Sequence, residues 1–403
     1  MAVTREEGVK QINIYIQAQN EGINITQDIF ENLDYKNTYL EQVRSCFDWN
    51  FKSWTKTKLP SGFRIKSSCF EVPIYLNPKS ELKIIKEGEK YYFVKGDGKD
   101  FAEEIDFEHK PGFYNKVTSD GKDMSRIVQA GAHGRLFISY SNECSFLEKG
   151  RDCLFCNIND TKRRFGKVDN IEWKNPNQIG ETIAEAYREG YEGFNLTGGY
   201  VPERREVEYY IDVIEAVKDH TDLPDDRIHG MACVGAPSDF SFIEKYKEAG
   251  YQHIACNMEV WDKNLFNYYC PGKVDIGGDH DRWLDVLKHE VEVFGRGNVR
   301  SNFVGGLESK DSLLAGIEQL AEIGVIGVAT TWKPCIGSAL EGHRSPETEW
   351  HQDLQSKIYQ ILKKNGYTLS DLYYVSGDLN PIGYYFALDG QVSPGGNKFD
   401  IKK

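Results

Sequence analysis

Between residues 178 and 340, short apolar runs rich in β-formers alternate with amphipathic stretches of helical period, the pattern of successive strand–helix units. Ile179, Ile183 and Tyr187; Val207, Ile211, Ile214 and Val217; Leu284, Leu287, Val291 and Phe294; and Leu313, Ile317 and Leu320 recur at spacings of three or four, so each predicted helix carries one apolar stripe. The predicted strands are 135–140, 193–197, 227–234, 253–260, 299–304 and 325–330. Strands that alternate with helices pair in parallel, so the expected fold is α/β: a parallel (β/α)6 partial TIM barrel, with a (β/α)8 barrel as the alternative, and extensions at both termini. The first 130 residues lack this alternation. They show scattered aromatics, a hairpin at 82–94 with its turn at Glu87-Gly88, and a second turn at Gly96-Asp97-Gly98. The predicted organisation is therefore an accessory or cap region at 1–130, a barrel core at 131–340, and a C-terminal extension at 341–403 that reads as one helix followed by Tyr-rich segments. The Gly277-Gly278 stretch after Pro271 reads as a loop over the barrel mouth.

Composition narrows the function. A chain of 403 residues buries a substantial core without disulfide staples. Its 49 Lys and Arg against 62 Asp and Glu give a formal charge of -13, which disfavours a surface that tracks a nucleic-acid backbone and favours a small-molecule substrate. There is no signal-peptide pattern and no apolar run of about eighteen residues, so export and membrane spanning are not expected and a cytoplasmic location is. The nine cysteines are odd in number, and in a reducing compartment they read as core residues, metal ligands or reactive thiols before disulfides.

Three of them cluster. Cys144, Cys153 and Cys156 follow directly on the first predicted strand of the core, in a CX8CX2C spacing. Two thiolates three positions apart can bind one edge of an iron–sulfur cluster, and a third on the same loop completes three of its four iron sites and leaves one iron open. A structural zinc site is the alternative; it needs a fourth ligand, and none lies nearby at zinc-finger spacing, since His133 precedes the loop by a strand. Cys46, Cys69, Cys233, Cys256, Cys270 and Cys335 are dispersed, which argues against further clusters, while the positions of Cys233 and Cys335 at strand ends leave a role in the barrel mouth open.

The cysteine loop resembles the cluster motif of the radical S-adenosylmethionine (SAM) superfamily, CxxxCxxC with an aromatic before the last cysteine; Phe155 takes the aromatic place, and the first gap is eight residues instead of three. Four later segments carry the resemblance further. Leu196-Thr-Gly-Gly-Tyr200 is similar to the family's glycine turn beside the SAM amino group, which implies that Gly198 and Gly199 let backbone approach the ligand closely. Cys256-Asn-Met-Glu-Val-Trp-Asp262 resembles the ribose-binding strand of the biotin synthase and thiazole synthase-like branch, with Asn257 and Glu259 on one strand face; Arg282, early in the next helix, fits the place of an arginine that neutralises the SAM carboxylate. The segment from Val299 to Glu308 resembles the fifth-strand motif whose apolar backbone, Val304 included, packs on adenine, and Trp332-Lys-Pro-Cys-Ile-Gly-Ser338 resembles the sixth-strand end.

The resemblance implies a 4Fe-4S cluster and SAM as cofactors. It implies an electron donor such as flavodoxin or ferredoxin, and reductive cleavage of SAM to a 5'-deoxyadenosyl radical that abstracts hydrogen from substrate. Substrate is expected at the C-terminal strand ends, with His229, Arg300, Asn302 and Lys333 as candidate contacts. A small polar metabolite fits the acidic charge, and Arg300 and Lys333 would favour a carboxylate or phosphate on it. The alternatives are a radical SAM enzyme acting on a peptide or protein, and a non-catalytic zinc- or metal-binding barrel. No Asp-x-His-x-x-Gly cobalamin signature is present. Whether lysis, rearrangement, epimerisation or sulfur insertion follows is left open.

Overall fold

The structure, a computed structural model, describes residues 3–25, 27–42, 58–141, 143–158, 173–376 and 380–392; Cys46 lies outside them. The chain opens with helix α1 (Arg5–Glu21), closed by a capping box in which the Thr4 hydroxyl accepts from the Glu7 N–H and the Glu7 carboxylate accepts from the Thr4 N–H. β1 (Asn24–Ile25), α2 (Gln27–Glu31), β2 (Leu40–Gln42), β3 (Lys58–Pro60), β4 (Gly62–Ile65), β5 (Glu71–Pro73), β6 (Leu82–Glu87), β7 (Lys90–Lys95) and β8 (Ala102–Phe107) follow. In the order β1-β6-β7-β8-β4-β5 they build a six-stranded sheet, with β2 and β3 as a separate antiparallel pair. The predicted hairpin is β6–β7. Pairing of Glu87 with Lys90 sets its turn at Gly88-Glu89, one residue later than predicted, with Gly88 at φ +59°.

The second sheet forms the core. β9 (Gln129–Ala130) pairs antiparallel with β10 (Leu136–Ser139), after which β11 (Phe194–Thr197), β12 (Gly230–Val234), β13 (His253–Cys256), β14 (Val299–Gly305) and β15 (Val325–Thr331) add in sequence order, all parallel. This is the six-unit partial barrel; among the described residues no further strand extends it to eight. The helices are α3 (Ser145–Glu148), α4 (Pro176–Arg188), α5 (Glu203–Thr221), α6 (Ser241–Ala249), α7 (Lys263–Tyr269), α8 (Pro271–Gly277), α9 (His280–Phe294) and α10 (Lys310–Ile323). Their ends are written in the sequence: the Asn175 and Ser309 side chains cap α4 and α10, and Gly324 at φ +108° stops α10 one residue before β15.

Strand alternation divides the sheet. Phe194, Leu196, Ile254, Cys256, Val299, Ser301 and Phe303 are fully buried, while Thr197, Cys233, Asn257 and Asn302 are half-buried on the opposite, lumenal face. Two predicted strands were drawn too long. β12 begins at Gly230, behind a 3-10 turn at Asp225–Arg227 and His229 at φ +52°, and β13 ends at Cys256, with only an isolated bridge from Glu259 to Phe303 beyond it. The stretch predicted as a loop before Gly278 is helix α8. Pro271 stands at its first turn and Gly278 at its C-cap with φ +86°, places where both residues favour a helix boundary.

The C-terminal region contributes α11 (Thr348–Lys364), α12 (Leu369–Val375) and α13 (Pro381–Leu388). α12 closes the N-terminal ends of the core strands: Tyr374 stacks 3.9 Å from His229 and 5.5 Å from His253, and the buried Arg135 guanidinium donates to the Tyr374 carbonyl at 3.0 Å. α13 joins both sheets through Tyr384, whose hydroxyl lies 2.8 Å from His133 Nε2 and donates to the Glu71 carbonyl at 2.9 Å. The Glu71 carboxylate accepts from Arg64 at 2.6 Å and from the His133 N–H at 2.8 Å. Among the described residues no helix is long and apolar enough to cross a membrane.

These junctions predict acid sensitivity. Burial lowers the basicity of His133, takes His253 well below the ordinary value, and brings His229 and His351 to about 4. In the unfolded chain such residues titrate near pH ~6.5, so below that pH the unfolded state binds more protons than the folded one. The histidine contribution to stability therefore falls as pH drops from about 6.5 towards about 4, while the buried Glu206 and Glu290 carboxyls, raised by burial to about 8 and well above the ordinary range respectively, act the other way. A Glu206→Gln, Glu290→Gln protein, in which that opposition is removed, is expected to show a continuous fall in melting temperature across that range, and a flat profile would contradict it.

Candidate active site

The cysteine loop leaves the C-terminal end of β10. Cys144 is the N-cap of α3, and Cys153 and Cys156 bracket a turn in which the Cys156 N–H donates to the Cys153 carbonyl at 3.0 Å. All three thiols are half-buried, and Phe155 inside the turn packs on the core. The loop is fixed from every side. The Ser145 N–H donates to the Tyr200 carbonyl at 2.9 Å, and the Phe146 and Tyr200 rings stack at 4.4 Å with 7° between planes. The Trp173 indole donates to the Glu143 carboxylate, Leu154 N–H to the Tyr269 carbonyl, and Leu340 N–H to the Leu154 carbonyl.

Gly198 and Gly199 form the floor. A Cβ on Gly198 would lie 2.4 Å from the Tyr140 ring, whose hydroxyl donates to the Gly199 carbonyl at 2.9 Å; a Cβ on Gly199 would fall 2.0 Å from the Glu143 carbonyl oxygen and 2.8 Å from Cys144 Cβ. Only glycine lets the turn after β11 touch the cysteine loop this closely.

At the end of β13, Asn257 ties three strands together. Its side-chain oxygen accepts from the Asn302 N–H at 3.1 Å and its amide lies 3.6 Å from Cys233 Sγ. Glu259 holds φ +68°, with its N–H donating to the Asn302 carbonyl and its carbonyl accepting from the Val304 N–H. Its carboxylate accepts from Lys273 of α8 at 2.8 Å. Burial works against the Lys273 charge, but the Glu259 carboxylate that accepts from it holds the ammonium above its ordinary value. Glu308 braces the next residues, accepting from the Trp261 and Asp262 N–H groups at 2.7 and 2.9 Å.

Arg282 stands at the start of α9 and commits one guanidinium nitrogen to the Pro237 and Ser238 carbonyls, with its plane 4.2 Å from the Phe240 ring. Val304 is buried on the lumenal face of β14, where Asn302 and, deeper, Arg300 precede it. Among the described residues Arg300 makes one long contact, 3.4 Å to the Ser376 carbonyl, and its Nε has no partner there. Two candidates do not join this group. His229 sits before β12, at the strand end opposite the cysteine loop, locked against Tyr374, because the chain turns through a positive φ there instead of continuing the strand. Lys333 swings onto Tyr75 of the N-terminal region, 4.2 Å from the ring, and lines a separate cavity of about 830 Å³ between α1 and residues 333–349. Sequence reasoning missed Lys273, Glu308, Tyr140 and Tyr200. Of these only Tyr200 carried a signal, its place directly after the glycine pair.

Chemically, three thiols on one rigid loop at the mouth of an open parallel barrel form a soft, thiolate-type donor set. Burial raises Cys144 and pushes Cys156 up to about 12, and the Cys270 thiol, then burial, raise Cys153 well above the usual range, so a bound cation would favour their thiolate forms. Among the described residues no three His, Cys, Asp or Glu side chains converge closely enough to hold a single metal ion.

Residues 141–321, from the cysteine loop to the end of α10, match the family model described as the radical SAM superfamily. This segment is a radical SAM domain. The chain is 25% identical over 262 residues to the bacteriochlorophyllide c C-7(1)-hydroxylase of Chlorobaculum limnaeum, covering 61% of this chain and 64% of that protein, so it spans less than two thirds of that relative. Among solved structures, methylornithine synthase (PylB) aligns with a TM-score of 0.44 and 17% identity over 62% of this chain and 69% of its own. The FeFe-hydrogenase maturase HydG from Carboxydothermus hydrogenoformans aligns with a TM-score of 0.45 and 14% identity over 64% of this chain and 59% of its own. The radical SAM match thus falls on the partial barrel, with extensions on either side of it.

Proposed function

We propose that Cys144, Cys153 and Cys156 hold a 4Fe-4S cluster, that SAM binds along the ends of β11, β13 and β14, and that the substrate is a small polar metabolite. The seating of Cys144 against Gly199 carries this reading, because it joins the metal-ligating loop directly to the glycine turn expected beside the SAM amino group. Cluster and SAM together supply a 5'-deoxyadenosyl radical able to take hydrogen from an unactivated carbon. The chain's own residues bind, orient and shield. Asn257 and Glu259 would hold the ribose hydroxyls, Glu259 with the carboxylate oxygen that Lys273 leaves free. Arg282 would offer further donors to the SAM carboxylate, since a guanidinium carries five N–H bonds and, among the described residues, one of its nitrogens is engaged. Val304 and Phe155 supply apolar wall beside them.

The lumenal face below is polar: Thr197, Cys233, Asn302 and, at its floor, Arg300, whose Nε finds no partner among the described residues. Buried polar groups need partners, and a substrate carrying a carboxylate or other anionic group would supply one to Arg300. An electron donor of the flavodoxin or ferredoxin class would deliver reducing equivalents.

The binding assignment has a direct test. Asn257→Ala and Glu259→Ala are expected to weaken SAM binding roughly tenfold or more, the cost of a lost charged or buried hydrogen bond, while iron content stays at the wild-type level. Unchanged affinity in both variants would place the ribose elsewhere.

A further inference from the structure

Lys273 has no counterpart in the motifs that point to the site, yet it occupies the junction of the site's two halves. Its side chain is 13% exposed, as is that of Glu259, and its ammonium donates to the Asn257 carbonyl at 2.6 Å and to Glu259 Oε1 at 2.8 Å. One group thus grips both ends of the three-residue segment 257–259. That segment needs holding: Glu259 is a non-glycine residue at φ +68°, a conformation that persists only where the surroundings impose it.

The helix that carries Lys273 is anchored on the cysteine loop. A Cβ on Gly272 would lie 2.4 Å from the Arg151 carbonyl oxygen and 2.5 Å from the Phe146 ring. Arg151 forms a two-pronged bond to Asp275 at 2.6 and 2.9 Å, and the Leu154 N–H reaches the Tyr269 carbonyl at the end of α7. The loop between Cys144 and Cys153 therefore fixes α8, and α8 fixes the Asn257–Glu259 segment through one buried cation.

We infer that Lys273 is a positioning residue, which holds the Glu259 carboxylate in register with the cysteine loop so that its free oxygen meets the SAM ribose. The inference rests on the ribose placement proposed above. A fixed acceptor binds better than a mobile one because no side-chain ordering remains to be done on binding. The ammonium also lies 4.7 Å from the Trp283 ring centre, which limits where it can go.

The test is anaerobic equilibrium dialysis of S-adenosylhomocysteine against iron-loaded wild type, Lys273→Met, Lys273→Arg and Glu259→Gln, with iron content and melting temperature measured on each. Lys273→Met is expected to bind about tenfold more weakly at unchanged iron content, and Lys273→Arg, which restores a cation to the carboxylate, within about threefold of wild type. Wild-type affinity in Lys273→Met together with weakened binding in Glu259→Gln would overturn the inference alone. Wild-type affinity in both would overturn the ribose placement itself. If Lys273→Met does not load iron, Lys273→Gln, which keeps a donor but loses the charge, is read in the same assay: weakening supports the role and wild-type affinity overturns it.

Discussion

Replacing Cys153 with Ala is expected to remove most of the bound iron and all 5'-deoxyadenosine formation, and Cys144→Ala and Cys156→Ala should do the same. Three thiolates occupy three of a cluster's four irons, and losing one leaves two irons without protein ligands. The loop cannot recruit a substitute easily: Cys144 is fixed as the cap of α3 and against Gly199, and Cys156 by its turn with Cys153. Cys270 sits beside Cys153, but it is fully buried between α7 and α8. Cys69 lies on the N-terminal sheet, between β4 and β5, so Cys69→Ala should keep full iron and turnover. Iron analysis and product assay on this panel decide the matter; a Cys153→Ala protein with wild-type turnover would contradict the ligand assignment.

The second large effect comes from a single methyl group. Gly199→Ala is expected to lose most of its iron even though no ligand is touched, because the new Cβ would stand 2.0 Å from the backbone oxygen of Glu143 and 2.8 Å from Cys144. A flexible side-chain tip could yield; this neighbour is main chain on the cysteine loop, so the loop itself must shift. Overpacking of this kind costs about 1 to 3 kcal/mol, and here the displacement falls on a metal ligand. Gly235→Ala is the matched control at the end of the next strand, where a Cβ would meet only the Tyr200 ring at an ordinary 3.6 Å. Iron content measured for both should separate them; equal, full loading would mean that the Gly199 contact does not position the cysteine loop.

The core was legible in the sequence because its strands obey one rule. The helix-facing positions are mostly apolar, as at Phe194, Leu196 and Ile254, with Ser301 as an exception that accepts from the Met258 N–H, and the intervening helices keep their stripes, so both periods could be read directly. The errors lie where a backbone torsion interrupts a pattern. Ile228 extended the apolar run of β12 backwards, but His229 turns through φ +52° and carries its ring to the far end of the barrel. Pro271 and Gly277 looked like loop residues, although proline at a first turn and glycine at a last one also delimit a short helix.

The N-terminal sheet was mostly illegible beyond its one hairpin, since β4 finds its partner β8 some forty residues away and short strands leave little periodicity. The same long-range pairing explains Lys333, which no sequence pattern connects to Tyr75. In the site, Asn257, Glu259 and Arg282 were picked out through the resemblance of their segments to a family pattern. Those that hold them, Lys273 and Glu308, were not, because they reach the site only through the packing of α8 and the β14–α10 loop.

Radical SAM chemistry at the Cys144, Cys153 and Cys156 loop would show itself in the reconstituted protein. Anaerobic purification and reconstitution with iron and sulfide, followed by SAM and a strong reductant, tests it most directly. A brown protein with about four irons per chain that converts SAM to 5'-deoxyadenosine is expected. A colourless protein holding one zinc ion and leaving SAM intact would contradict it.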